Sequence, residues 1–316
     1  MRHERHENID AQLASLDGFE LEATQLDSGP YQCEEIYLSL GDYHFGFVKQ
    51  TRRLMIRGAN AGPGFVFGIP LSDQRFPLHL DYISDTPTVF CLPPGQQIQV
   101  ITPDNYESVR FYVSVERYHQ LLATYFDSPV CCPPRYGLSL YYPSNEQLNG
   151  LRKPLLDMRD RIQDKLIIER ELMYWLVEAT EHAIMPALLQ IMANGSDWSV
   201  RRRPTLLQLA IELIIDNLDS PPNVNELAHT LGTSPRNLQY MFRNHLGITP
   251  KQFIKLYRLN VARQRLWHSH YKRGLVADIA NQLGYWHMGG FAQEFRQLFH
   301  LNPKEILRAG SIEKDD

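Results

Sequence analysis

The sequence lacks the marks of a membrane-spanning or secreted protein. No apolar run approaches the ~18 residues that a membrane-spanning helix needs. The first ten residues, MRHERHENID, are charged and contain no apolar segment of a signal peptide. Cysteines are few and show no CxxC pair; they are Cys33, Cys91, Cys131 and Cys132. We therefore expect a cytoplasmic protein with reduced thiols and no membrane contact.

Residue patterns typical of metal-dependent enzymes are also missing. The stretch 31–115 contains only two histidines, His44 and His79, and no HxH pair with which one metal ion could be bound. The segment 201–316 contains no cysteine, so it holds no cysteine nucleophile and no four-cysteine zinc site. We therefore expect no catalytic residues, no metal and no cofactor, and the chain is not predicted to be an enzyme.

Acidic residues are absent from one long segment. The 51 residues between Glu226 and Asp278 include no Asp or Glu, whereas the whole chain has a net charge of −4. Residues 201–316 have a net charge of +6 and residues 1–200 a net charge of −10. Nine basic residues lie in the acid-free segment: Arg236, Arg243, Lys251, Lys255, Arg258, Arg263, Arg265, Lys272 and Arg273. This distribution favours a surface that faces DNA phosphates.

Hydrophobic periodicity divides the chain into two domains. We assign 1–193 to a β-rich sensor and dimerisation domain, with its strands at about 31–115, its helices at about 116–193, and a partly loose start over 1–30. A breaker-rich linker is predicted at 194–204, and a helical DNA-binding domain at 205–310. The expected fold is α+β: a barrel or double-sheet roll with a helical segment, then an all-α domain.

A repeat in the second domain predicts two helix-turn-helix motifs. The segment Leu227-Ala228-His229-Thr230-Leu231-Gly232 is echoed by Ile279-Ala280-Asn281-Gln282-Leu283-Gly284, 52 residues later. Pro250 is echoed by Pro303 at an offset of 53, which places one extra residue in the second turn. Ser234 can cap a helix that starts at Pro235 and ends at Gly247. Several matches at one period indicate duplication more strongly than a single motif does.

These residues resemble the signature of the AraC/XylS family of bacterial transcription regulators, which covers roughly the last hundred residues. The resemblance extends through Leu238, Phe242, Arg258-Leu259, Phe291, Phe295-Arg296 and Pro303. It implies two helix-turn-helix units in successive major grooves, joined by one rigid helix at about 249–268 and spaced by one helical turn, ~34 Å. The Tyr285-Trp286-His287 turn and Gly68-Ile69-Pro70 are similar to the branch that contains the ethanolamine-utilisation regulator.

The resemblance assigns DNA contacts to exposed positions on both recognition helices and in the turn before the second. On the first helix they are Arg236, Asn237, Gln239, Tyr240 and Arg243, where Arg can pair with guanine, Gln with adenine, and Arg243 is expected on the backbone. On the second they are Trp286, His287, Met288, Gln293 and Arg296. Gly289-Gly290 replace side chains that often contact bases in the family, so we expect weaker or shape-dependent recognition there.

The β-rich domain resembles the family's cupin-like sensor domain and is expected to bind a small effector. The candidate effector-binding residues are Phe45, Phe47, Arg53, Phe65, Phe67, His79, Arg110 and Tyr112. Arg53 or Arg110 would suit a carboxylate if either points inward. The apolar stripes of the helices at 145–193 suggest a homodimer contact, although the β-domain could equally cover them.

The function indicated is a sequence-specific regulator, preferentially an activator, whose partners are double-stranded DNA and RNA polymerase. Two alternatives stay open. One is a regulator controlled by a protein partner, without a small effector. The other is an enzyme fused to a DNA-binding module, as in DNA-alkylation repair proteins, but the chain lacks their cysteine pattern.

Overall fold

The computed structural model describes residues 1–73, 87–125, 137–163, 165, 168–194, 198–199, 205–270, 272 and 274–315. Its strands are β1 (Arg2–His6), β2 (Phe19–Gln25), β3 (Cys33–Leu40), β4 (Tyr43–Gln50), β5 (Leu54–Asn60), β6 (Gly64–Pro70), β7 (Val89–Leu92), β8 (Gln97–Ile101), β9 (Tyr106–Ser114), β10 (Ser139–Tyr141) and β11 (Trp198–Ser199). Its helices are α1 (Ile9–Ala14), α2 (Val115–Tyr125), α3 (Asn145–Ile162), α4 (Arg170–Ala179), α5 (Met185–Asn194), α6 (Leu206–Asp216), α7 (Val224–Thr230), α8 (Pro235–Leu246), α9 (Pro250–Trp267), α10 (Leu275–Gln282), α11 (Met288–Phe299) and α12 (Pro303–Asp315).

The N-terminal part is built from two antiparallel sheets. The larger has the strand order β1-β3-β4-β9-β6-β7-β10-β11 and the smaller the order β2-β5-β8. No strand pairing joins the two sheets within the described residues, so the predicted barrel is not closed and the double-sheet alternative fits better. The α+β class, with a sheet-rich first part and a helical second part, is confirmed.

The first thirty residues are ordered, which corrects the expectation of a partly loose start. β1 pairs with β3 from Arg2, opposite Tyr37, to His6, opposite Cys33. β2 pairs with β5 along its whole length. The sequence RHERH has no alternation of apolar and polar residues that would predict a strand. β1 is an edge strand, and its pairing with β3 rather than burial holds it in place. The strands therefore begin at Arg2 instead of residue 31.

The larger sheet has two chemically different faces. On β4, Tyr43, Phe45 and Phe47 belong to a core that includes residues of α3, α4 and α5. The alternate residues of the same strand, among them His44 and Gly46, line a cavity on the opposite face. This two-residue alternation follows from the pleat of a strand. The smaller sheet covers part of that second face, where Ala23 and Leu54 pack with Val48.

The apolar stripes of the helices at 145–193 are packed inside the chain. Leu148, Leu151, Leu155 and Met158 are at most 2% exposed and lie in the core beneath the larger sheet. The apolar stripes are thus covered by the β-domain and are not exposed for a homodimer contact. A π-helical turn, Thr180–Ile184, joins α4 to α5, so Pro186 follows a local distortion near the start of α5.

The two domains share one apolar core. Leu26, Met55 and Ile101 of the sheet-rich part pack with residues of α6, α7, α8 and α9. α6 begins after Thr205, whose side chain accepts a hydrogen bond from the backbone of Gln208 in a capping box. Most of the predicted linker 194–204 lies outside the described residues. The helical second part begins with α6 at Leu206, and its last helix α12 runs to Asp315.

Candidate nucleic-acid interface

The first helix-turn-helix is formed by α7 and α8 and is fixed by local capping. The Asn223 side chain accepts hydrogen bonds from the backbone N–H groups of Asn225 and Glu226, at 2.9 and 3.1 Å. Ser234 caps α8 by accepting from Asn237 N at 3.1 Å. Gly247 ends α8 with a φ of +68°, a conformation that glycine adopts without strain. These caps are those that the sequence predicted.

The polar side chains of α8 face solvent, and its apolar side chains face the core. Leu238 and Phe242 are 0% exposed, whereas Tyr240 is 66% exposed. The remaining candidates for DNA contact on this helix are all exposed: Arg236, Asn237, Gln239 and Arg243. The Asn237 side chain donates to Thr233 Oγ1 at 2.9 Å, so it also braces the turn. The first recognition helix can therefore offer Arg and Gln donors to base edges.

The second helix-turn-helix is formed by α10 and α11 and presents different chemistry. Trp286 is 78% exposed in its turn, and Phe291 and Phe295 are buried below it. His287 occupies the N-cap position without a side-chain capping bond. A Cβ on either Gly289 or Gly290 would meet nothing within 4 Å, so no packing contact requires glycine there.

The other candidates on α11 differ in how firmly they are held. Gln293 is exposed and Met288 is half-buried. Arg296 donates to Asn302 Oδ1 from Nε at 2.9 Å and from Nη2 at 2.6 Å. The Arg296 guanidinium is thereby oriented at the surface beyond the helix start.

The basic residues of the acid-free segment do not share one role. Arg236, Arg243, Lys251, Arg265 and Lys272 are exposed, and Arg273 lies outside the described residues. Lys255 Nζ pairs with Glu294 at 2.9 Å, and Arg258 Nε donates to Leu218 O at 3.3 Å. The exposed ones remain available to phosphates. Composition alone could not separate these groups, because it contains no information on which helix face packs inward.

Arg263 departs most from the predicted phosphate-facing role. It is 3% exposed, and its Nη1 lies 3.3 Å from Oδ2 of Asp10 in α1, which is 4% exposed. Its Nη2 donates to Ala23 O of β2 at 3.1 Å. Burial lowers the pKa of the Arg263 guanidinium, and the Asp10 carboxylate opposes this shift. Arg263 therefore joins the connecting helix α9 to the first domain.

The first domain also contacts the carboxyl ends of both recognition helices. Arg53 donates to Leu246 O at 2.7 Å and to His245 O at 3.3 Å, at the end of α8. Gly29 N donates to Leu298 O of α11 at 2.9 Å, and Ser28 Oγ donates to Gln297 O. Helix ends leave carbonyls without intrahelical partners, so these donors satisfy or supplement them. The same domain thus holds both recognition helices from the end opposite their exposed starts.

The effector-binding candidates divide between core, cavity and domain interface. Arg110 and Tyr112 line a cavity of about 390 Å³ beside the larger sheet, together with Glu35 and His44. The four phenylalanines are in the helix-facing core instead: Phe45, Phe47, Phe65 and Phe67. Arg53 is directed to α8, so it is not in this cavity. His79 lies outside the described residues. Runs rich in aromatic and β-branched residues identified the strands but not the face that borders the cavity, since both faces hold aromatic residues.

Among the described residues, no three His, Cys, Asp or Glu side chains come together as a metal-binding group. None of the described helices combines the length and apolarity required to cross a bilayer.

Comparison with known proteins gives matches in the C-terminal domain. A family model described as a helix-turn-helix domain matches residues 227–309. The probable thc operon regulatory protein of Rhodococcus erythropolis is 35% identical over 105 residues, which are 33% of this chain and 32% of that protein. The XylDLEGF operon transcriptional activator 3 of Pseudomonas putida is 34% identical over 98 residues, 31% of this chain and 30% of that protein. The chain thus spans about a third of the length of these relatives.

A solved structure is similar over more of the chain. The AraC-like transcriptional activator CuxR is 14% identical, with 83% of this chain and 94% of that chain covered at a TM-score of 0.44. Residues 227–309 of this chain are thus similar to a helix-turn-helix domain family, and about a third of the chain is similar to two operon regulators.

Proposed function

We propose that this chain is a sequence-specific transcription regulator that inserts α8 and α11 into successive major grooves. One observation carries the proposal: two recognition helices are joined by the single helix α9, and both have exposed residues at their starts and buried aromatic side chains. Arg236, Gln239 and Tyr240 contact bases from α8. Trp286, His287, Met288 and Gln293 contact DNA from α11, and Arg243 and Arg296 contact backbone phosphates.

The regulator acts as an activator and recruits RNA polymerase. The supporting observation is a relative's description as an operon transcriptional activator, in a segment 34% identical to this chain. It acts in the cytoplasm, where the chromosome is accessible, and without catalytic chemistry of its own. A homodimer would place two such domains on one DNA site. The exposed Tyr174 and Met173 of α4, at 70% and 36% exposure, are the apolar side chains available for that contact.

The first domain controls the second through their shared contacts. Arg53, Ser28 and Gly29 hold the ends of both recognition helices, and Arg263 holds the helix between them. A small effector bound in the first domain would alter these contacts and so change the relative orientation of α8 and α11. Control by a protein partner is the alternative, and it predicts no ligand response by the purified chain.

Mapping the DNA bound by the full chain across the genome tests the proposal. The expected result is a limited set of sites upstream of genes, with a shared sequence in two parts one helical turn apart. Binding of the purified chain to such a site, measured by fluorescence anisotropy, should weaken steeply as salt rises. Uniform genomic occupancy, or affinity that is insensitive to salt, would contradict it.

A further inference from the structure

The cavity beside the larger sheet contains a buried carboxylate with a free oxygen. Glu35 of β3 is 5% exposed and lines this cavity of about 390 Å³. Its Oε1 accepts a hydrogen bond from Arg110 Nη2. Its Oε2 is buried and has no hydrogen-bond partner among the described residues. A buried carboxylate oxygen without a donor is costly, so a ligand that supplies one is stabilised here.

The charges around the cavity leave an excess of carboxylate. Three acidic side chains line it, Glu4, Asp17 and Glu35, against two guanidiniums, Arg2 and Arg110. Arg2 lies 3.8 Å from Glu4 and 3.8 Å from Asp17, and Arg110 pairs with Glu35, so neither base faces the cavity without an acidic partner.

His44 does not restore the balance. It lines the cavity, and burial lowers the pKa of its imidazole, which disfavours the charged form of the ring. A carboxylate ligand would add a further negative charge next to Glu35 or have to displace it from Arg110. The arrangement therefore favours a cation over an anion.

One wall of the cavity is aromatic. The rings of Tyr37 and His44 are stacked with centroids 6.0 Å apart, and Tyr112 lies 5.0 Å from His44. Phe19, Leu16 and Pro63 add apolar surface to the lining. Ligand sites of this kind are mostly apolar with a few placed polar groups. The Arg2 guanidinium already lies over the Tyr37 ring, 4.8 Å from its centroid, so this wall contributes mainly apolar contact. The walls thus suit a small aromatic or apolar body beside a charged head.

Gly46 makes room for the ion pair at the cavity floor. A Cβ at this position would lie 3.0 Å from Glu35 Oε1 and 3.5 Å from Arg110 Nε. Gly46 faces Arg110 across β9 and Tyr37 across β3 in the sheet register. Any larger residue would push against the Glu35 carboxylate, so the glycine belongs to the geometry of the site.

We propose that this cavity binds a small organic amine with an aromatic or apolar body, whose ammonium group donates a hydrogen bond to Glu35 Oε2. The inference rests on the proposed effector control and names the chemical class of the effector. Arg110 positions the carboxylate through Oε1, while Tyr37, His44 and Tyr112 contact the body of the ligand. The ligand class differs from the carboxylate suggested by the sequence, because Arg110 is already paired.

The test compares matched probes on the full chain by calorimetry and thermal shift. The probes are 2-phenylethylamine, tyramine and benzylamine, each at millimolar concentration, with 3-phenylpropanoate and 2-phenylethanol as the anionic and neutral counterparts. We expect saturable binding and a higher melting temperature with at least one amine only. Equal or tighter binding of 3-phenylpropanoate, or no saturable binding by any of the three amines, would overturn the proposal.

Variants of adjacent residues locate the binding group. Glu35→Gln should weaken amine binding by roughly tenfold to a hundredfold, because a charge-assisted bond is lost. Glu34→Gln is the matched control, since Glu34 is the preceding residue and binds His3 at 2.9 Å instead of lining this cavity. Gly46→Ala should weaken binding while the fold is kept, as judged by circular dichroism. Unchanged amine affinity in both Glu35→Gln and Gly46→Ala would also overturn the proposal.

The outcome is separable from that of the DNA-binding proposal. DNA affinity is measured on the same protein preparation without any amine, and it depends on α8 and α11 rather than on the cavity. Failure of amine binding with intact DNA binding rejects the ligand class alone. Failure of DNA binding with intact amine binding rejects the proposed regulator instead.

Discussion

The side-chain amide of Asn260 pairs with the backbone of Gln25 in both directions. Asn260 Oδ1 accepts from Gln25 N at 2.8 Å, and Asn260 Nδ2 donates to Gln25 O at 3.1 Å. A side chain of the connecting helix α9 thus replaces a neighbouring strand at the end of β2. Both residues are nearly inaccessible, at 3% and 1% exposure.

Replacing Asn260 with Ala should destabilise the full chain by roughly 2 to 5 kcal/mol, because both polar groups of Gln25 lose a buried partner. Urea unfolding followed by circular dichroism measures the change. Asn244→Ala, at an exposed position of α8, is the control and should change stability by less than about 0.5 kcal/mol. Equal stability of the two variants would show that the Asn260 pairing contributes nothing.

The Arg263–Asp10 ion pair gives a second prediction. Arg263→Met should cost about 3 to 5 kcal/mol, since it leaves the Asp10 carboxylate buried without its counter-charge. The double change Asp10→Leu with Arg263→Met should cost less than the single one. Lys49→Met breaks a pair with Glu107 in which Lys49 is 66% exposed, and it should cost at most about 1 kcal/mol. A double variant no more stable than Arg263→Met alone would argue against an electrostatic origin.

Base contacts from the first recognition helix are tested on the mapped DNA site. Arg236→Ala or Gln239→Ala should weaken binding by ~1–3 kcal/mol and relax the preference at one base position. Arg308→Ala removes the same charge as Arg236→Ala from an exposed position on α12 and should leave the preference unchanged. Binding to a set of single-base variants of the site measures both effects. An identical base preference in Gln239→Ala and the parent would refute its base contact.

Substitution of the two glycines at the start of α11 should raise the stability of the free protein and lower its affinity for DNA. Gly289→Ala and Gly290→Ala should each stabilise the free protein by up to about 1 kcal/mol, because helix propensity rises and the space is open. Gly150→Ala, in open space within α3, should stabilise it similarly without affecting DNA binding. If the glycines let the backbone approach DNA closely, both α11 variants bind the site more weakly. Unchanged affinity would remove that role.

The buried thiol of Cys33 should make stability depend on alkaline pH. Burial, with a contribution from the charge of Glu35, raises the pKa of Cys33 to about 12. The folded state therefore keeps a proton that the unfolded state releases above a pKa of about 8.5, so stability falls as pH rises from there. Between pH 8 and 10 this loss should reach about 2 kcal/mol. Urea unfolding at several pH values measures the free energy of unfolding, which should fall less steeply with pH in Cys33→Ala than in the parent. An identical pH dependence in both proteins would exclude a contribution from the Cys33 thiol.

The sequence predicted local structure far better than contacts between distant segments. The caps at Ser234, Pro235 and Gly247, and the longer second turn, depend on neighbouring residues and appear as expected. The Arg263–Asp10 pair joins residues more than 250 positions apart, and neither position has a pattern that points to the other. Arg263 was therefore predicted to lie on the exposed basic surface.

The candidate effector site shows the same limit. Runs rich in aromatic and β-branched residues identified the strands β4 and β6, but only two of the eight candidate residues line the cavity next to Glu35. The period of a strand fixes which residues share a face, not which face packs against helices. Glu35 had no signal in the sequence, because an acidic residue on a strand is ordinarily solvated.

The unlike starts of α8 and α11 bear on how a single chain would be oriented along a duplex. At the offset of 53 residues, Gly289 of α11 corresponds to Arg236 of α8, and Ala292 corresponds to Gln239. A DNA segment recognised by one chain is then asymmetric rather than palindromic, and its two ends can be told apart. Reversing the segment relative to a promoter would turn the first domain to the other side, and with it any surface offered to the transcription machinery. Orientation of the site, as well as its sequence, would thus determine the response of the neighbouring gene.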